Sequence, residues 1–181
     1  MKKIKINRLG KKSNKTIFAF GEADVEEVFL KHIRAVYGRN TGVSAKITSW
    51  HGVSPETIIE KALRIRSTSI YDDSFVLLDG DIPIPTASLN LAKKQKLKLF
   101  ISKPCVEGFF LTFLNDKLPT GLRQSDECKN KFKEKYFPRR KEIKISDYEK
   151  FFEKKFSKLF FESVRKNNKM LNEIIKIITE L

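Results

Sequence analysis

The sequence predicts an α/β fold: a mainly parallel, Rossmann-like sheet flanked by helices, followed by a helical C-terminal extension. Three observations carry this. From residue 16 to about residue 115, short β-rich apolar runs alternate with segments whose apolar residues recur every three or four positions, the order of a parallel sheet with crossover helices. The run from Ser74 to Asp79, SFVLLD, is apolar almost throughout, as a strand covered on both faces must be. From about Pro119 onward no strand-like run recurs and the spacing is helical.

Taken in order, Thr16 to Phe20 reads as a buried strand. Gly21 turns the chain, and Val25, Phe29, Ile33 and Val36 form the stripe of a helix. Val43 to Trp50 is a second strand, and Ser54-Pro55 supplies an N-cap and first-turn proline for a helix to about Arg66. The third strand is Ser74 to Asp79. Thr86 to Lys94 is a short helix, Leu97 to Ser102 a fourth strand broken by Pro104, and Val106 to Leu114 an apolar helix. In the extension, helices are expected over 125–136, 146–165 and 168–181, the middle one opened by a Ser146-x-x-Glu149 capping box. Three regions follow: a basic arm over 1–15, the α/β domain over 16–118, and the extension over 119–181, packed on that domain.

The chain has 181 residues, with 37 Lys and Arg against 22 Asp and Glu, a net charge of +15. Such a surface attracts polyanions, nucleic acid or acidic membrane alike. Seven of the first fifteen residues are Lys or Arg and none is acidic. No apolar run approaches the ~20 residues of a membrane span, and TIFAF is too short for a signal-peptide core. The expectation is a cytoplasmic protein with no membrane association. Cys105 and Cys128 stand outside any C-x-x-C, and His32 and His51 outside any zinc-binding pair, so neither a disulfide framework nor zinc chemistry is expected. Cys105 reads as a small buried thiol.

On so basic a chain the acids at strand ends carry the information, because ligands of open parallel sheets gather at the carboxyl ends of the strands. After the first strand come Glu22 and Glu26, four apart and expected on one face of a helical first turn. The third strand ends in Asp79-Gly80-Asp81, where two carboxylates can share one hard cation across a glycine turn. Glu107 follows the fourth strand as the one acid among Val106, Phe109 and Phe110, and needs a partner if buried. Helix capping and a plain Asp-Gly turn account for these acids singly. Together they form a candidate oxygen-ligand site for Mg²⁺ or Mn²⁺, with Glu22, Asp79 and Asp81 as ligands.

These residues resemble the TOPRIM (topoisomerase-primase) family, and within it the small RloB-like and OLD-like nucleases. Gly21-Glu22-Ala23-Asp24-Val25-Glu26 is similar to the first-strand element E-G-x-x-E/D, with Ala23 in the usual glycine position. Asp79-Gly80-Asp81 resembles the D-x-D element. Lys103-Pro104-Cys105-Val106-Glu107-Gly108-Phe109 is similar to N-P-x-x-E-x-W, with Lys103 for Asn and Phe109 in the aromatic position. The resemblance covers residues 16 to 115 and implies a TOPRIM-like sheet and metal-dependent phosphodiester cleavage of DNA or RNA, transfer RNA included, in anti-phage defence. It implies Glu22 as metal ligand or general base, Asp79 and Asp81 as metal ligands, and Glu26 and Glu107 as supporting carboxylates. Partners would be nucleic acid and either a defence protein or a second copy of the chain.

Lys93, Lys94, Lys103, Arg139 and Arg140 are candidate phosphate contacts; a solvated face explains them as well. The stripe Tyr148, Phe152, Phe156, Leu159, Phe160, Ser163 is expected to pack on the domain rather than to stack bases. Two other functions remain open: a noncatalytic nucleic-acid-binding or complex-forming module, and an Mg²⁺ enzyme acting on a small phosphate metabolite. No G-x-x-x-x-G-K-[ST] loop supports triphosphate binding.

Overall fold

The computed structural model describes residues 14–37 and 41–180, so most of the expected basic arm lies outside the described residues. Within them the α/β expectation is met. Four strands, β1 (Lys15–Gly21), β2 (Val43–Ser49), β3 (Asp73–Asp79) and β4 (Lys98–Ser102), form one sheet in the order β2-β1-β3-β4, every neighbouring pair parallel. Between them run α1 (Asp24–Tyr37), α2 (Pro55–Ser67) and α3 (Thr86–Lys94); α4 (Val106–Phe113) follows β4.

Both central strands are apolar because both of their faces are covered. In β1, Ile17 and Ala19 join one core while Phe18 and Phe20 join the other; in β3, Phe75 and Leu77 oppose Val76 and Leu78 in the same way. The smaller core is closed by Ile58, Ile59 and Ala62 of α2 and by Ala92 of α3. The larger takes in α1, α4 and the whole helical extension, α5 (Gln124–Tyr136), α6 (Ile145–Lys155), α7 (Lys158–Val164) and α8 (Lys169–Thr179). Sheet and extension therefore share one aromatic interior, in which Phe29 of α1 meets Phe110 at 5.0 Å and Phe152 at 5.7 Å between ring centroids. Tyr148, Phe152 and Phe156 are buried there, whereas Leu159 is 84% exposed.

The single helix expected over 146–165 is two. Phe156 turns fully into the core and its carbonyl accepts a hydrogen bond from His32 Nε2 (2.9 Å), while Ser157 Oγ accepts from the Phe160 N–H (3.3 Å) and starts α7. The Ser146 capping box does not form either. Helix α6 begins at Ile145, and the Asp147 carboxylate reaches back to the Lys144 N–H (3.0 Å).

One feature of this topology places the site. The chain leaves β1 toward β2 through α1 on one face, and leaves β3 toward β4 through α3 on the other face. The strand order thus reverses between β1 and β3, and their neighbouring carboxyl ends open a crevice. Among the described residues no helix is long and apolar enough to cross a membrane.

Candidate metal centre at the carboxyl edge

The first two carboxyl groups at this crevice are fixed by the backbone of adjacent strands. Glu22, just past β1, donates its N–H to the Leu77 carbonyl (3.1 Å), and its Oε2 accepts from the Asp79 N–H (2.8 Å). Because α1 starts only at Asp24, Glu22 stands in the turn before the helix and shares no helical face with Glu26, contrary to the spacing argument. Glu26 instead folds back to accept from the Ala23 N–H (2.9 Å) and is 2% exposed. This return is possible because residue 21 is glycine: a Cβ there would lie 2.8 Å from Glu26 Cβ and 2.9 Å from the Glu27 nitrogen.

Asp79 Oδ1 accepts from the Val106 N–H at the start of α4 (2.8 Å) and from the Ser102 hydroxyl (3.1 Å). Its Oδ2 faces Lys129 Nζ at 3.6 Å, and Asp81 Oδ2, which accepts from the Ser125 hydroxyl (3.0 Å), faces the same ammonium at 3.6 Å. Glu107 lies behind them, 8% exposed; its Oε1 accepts from the Tyr148 hydroxyl (3.2 Å), while its Oε2 is buried without a hydrogen-bond partner among the described residues.

So many acids in one place perturb one another. Burial, then Glu107 and Glu22, push the Asp79 carboxyl up to about 7. Burial and then Asp79 raise Glu26 well above the ordinary carboxylate range. Burial also raises Glu22 against the opposing Asp79 N–H. Burial alone would lower Lys129, but Asp79, Glu107 and Asp81 outweigh it and hold the ammonium charged.

The donor set consists of carboxylate oxygens, the chemistry of a hard divalent ion, and it has already drawn in a cation in the form of Lys129. Among the described residues no three His, Cys, Asp or Glu side chains form a ready metal cage. Glu22, Asp79 and Asp81 are nonetheless held at one crevice, and in each case the bonds described leave an oxygen without a backbone or hydroxyl donor. Such a set fits Mg²⁺ or Mn²⁺ once Lys129 gives way. On the same edge, Trp50 follows β2, is 49% exposed and has Lys61 Nζ 3.4 Å from its ring centroid, and His51 Nδ1 lies 3.3 Å from Asp24 Oδ1.

Neither Lys129 nor the polar role of Tyr148 is legible in the sequence. Lys129 is one of four lysines in QSDECKNKFKEKY, and nothing local separates it from Lys131 or Lys133. Tyr148 stood in the aromatic stripe; the signal was the polar tip on an otherwise apolar face. Of the basic candidates, Lys103 is exposed in the β4–α4 turn beside Gly80. Lys93 and Lys94 end α3, which runs back toward the amino end of β4, so the fold places them away from the carboxylates. Arg139 and Arg140 lie between α5 and α6, Arg140 paired with Asp147 at 3.1 Å.

No protein family, curated protein or solved structure matches the chain.

Proposed function

We propose that the chain is a metal-dependent nuclease that hydrolyses phosphodiester bonds in DNA or RNA, in the anti-phage setting that its TOPRIM resemblance implies. What supports the reading is one observation: acids from the ends of β1 and β3 share the crevice of a +15 chain, and Lys129 stands 3.6 Å from two of them, Asp79 and Asp81. Glu22, Asp79 and Asp81 would hold Mg²⁺ or Mn²⁺, which supplies Lewis-acid polarisation of a phosphate oxygen and a more acidic bound water. Glu22 is oriented for this by the Asp79 N–H, and Asp79 by Val106 and Ser102. Glu26 and Glu107 keep negative potential behind the ligands. Lys129, released from Asp79 and Asp81, would meet the incoming phosphate.

The test incubates the protein with end-labelled DNA and total RNA in Mg²⁺, Mn²⁺ or chelator. Cleavage is expected only with divalent ion, and Asp79→Asn is expected to abolish it while leaving the circular dichroism spectrum unchanged. Metal-independent cutting, or cutting by the variant, would sink the proposal.

A noncatalytic nucleic-acid-binding module is the second reading, favoured by the Lys129 ammonium standing between Asp79 and Asp81. The two differ in what Lys129→Met does. As a permanent counter-ion its loss lowers Tm by several degrees and Mg²⁺ restores none of it; at a metal centre Mg²⁺ restores the loss and binds the variant more tightly than wild type.

A further inference from the structure

We propose that a cavity between the end of α5 and the outer face of α6 binds single-stranded nucleic acid, stacking a base on its aromatic floor while its cations hold the flanking phosphates. This rests on the nucleic-acid reading above and adds where, and in what form, the strand is held.

The cavity measures about 530 Å³. Its floor includes the half-buried rings of Tyr136 and Phe137. Tyr136 is fixed by donating its hydroxyl hydrogen to Asp116 Oδ2 (2.5 Å), and Phe137 is wedged against Tyr148 and Phe151, each at 5.6 Å between centroids. Rings held this way offer a face without losing freedom on binding.

Arg139, Lys150, Lys154 and Lys155 line its walls, are all exposed, and have no hydrogen-bond or ion-pair partner among the described residues. Among the described residues the one acid of the lining, Asp147, is spent on Arg140 and the Lys144 N–H. The last turn of α6 favours Lys154 and Lys155 through its dipole, but Arg139 and Lys150 have no such support. Lys150 and Lys154, four apart on α6, repel each other. A polyanion relieves that repulsion, and a single strand offers the rings a base face that a duplex keeps stacked inside. The position also suits the carboxyl edge: Tyr136 is seven residues along α5 from Lys129, about 10 Å at a rise of ~1.5 Å per residue. A stacked strand rising ~3.4 Å per nucleotide covers that distance in about three nucleotides.

The experiment measures fluorescence anisotropy of a short labelled single strand titrated with the full chain in chelator, so that binding and cleavage are read separately. Lys150→Glu/Lys154→Glu is expected to weaken binding about tenfold or more, and to lower the slope of log affinity against log salt by about 1.4, the share of two phosphate contacts. The same charge change at exposed Lys166 and Lys169, Lys166→Glu/Lys169→Glu, is expected to cost threefold or less. A duplex of equal length and polyglutamate should compete poorly. Equal weakening by the two double variants, equal competition by duplex or polyglutamate, or absence of binding by wild type would each overturn the inference. Should Lys150→Glu/Lys154→Glu fail to fold, Arg139→Glu, in the loop, reads the same contact. Cleavage lost with binding intact would speak against the nuclease reading alone.

Discussion

Asp79 concentrates the physical tension of the molecule at one side chain. Its carboxyl titrates near 7 in the fold against 3.8 ordinarily, so the folded state holds a proton that the unfolded chain releases well below neutrality. The associated stability is present at low pH and is lost as pH rises through about 7; Glu22 and Glu26, both raised, act in the same sense. Glu27, Asp72, Asp116 and Glu162, all lowered, act oppositely, but only in the acid range. His32, depressed by burial, opposes through its usual 6.5. From pH 6.5 to 8 the lowered carboxyls no longer contribute and the opposition of His32 fades, while the raised thiols of Cys105 and Cys128 begin to act in the same sense as Asp79. In chelator, wild-type Tm should fall across this range, and Asp79→Asn should be flatter and more stable than wild type at pH 8. A wild-type curve that rises, or a variant that is less stable at pH 8, contradicts the carboxylate repulsion on which the site rests.

At the scale of elements, the approach of α1 to β1 is a tight constraint. Gly21→Ala would drive a methyl group to 2.8 Å from Glu26 Cβ and 2.9 Å from the Glu27 nitrogen. The backbone cannot yield there as a flexible side chain could. A loss of about 1–3 kcal/mol is expected in urea denaturation, as for other overpacked sites, and a change below a few tenths would mean that α1 is less firmly seated. The elements also mark what the sequence could and could not disclose. Strands β1 and β3 were legible because burial on two faces leaves continuous apolar runs, and α2 because Ser54-Pro55 is a local start signal. The break at Phe156 was not, since the spacing of Tyr148, Phe152 and Phe156 fits one unbroken helix. At the break the Phe156 carbonyl accepts from His32, 124 residues away, and Ser157 caps the next helix. Glu22 and Asp79 were legible as strand-end acids, whereas their joining through an N–H required the register of β1 against β3. Lys129 comes from a helix whose own pattern distinguishes none of its lysines.

For the whole molecule, the larger core decides what can fold alone. Phe29 and Phe110, on α1 and α4, are covered by Phe132, Phe152, Phe156 and Phe161 from the extension. A chain ending at residue 118 would bare that aromatic surface, and patches of this kind drive aggregation. It is expected to be insoluble or to bind a hydrophobic dye strongly, while the full chain melts in one cooperative transition. Two well-separated transitions in the full chain would show instead that sheet and extension are independent units.

The hydroxyl of Tyr148 stands at the seam of these two parts, donating to Glu107 from α6 across to α4. Glu107 in turn exerts its charge on Asp79 and Lys129. Docking of the extension and the ionisation of the carboxyl edge are thereby thermodynamically linked, and linkage is reciprocal. An ion seated among the carboxylates should slow amide exchange in α6, where it touches nothing, and loosening α6 should weaken that ion's hold by the same factor.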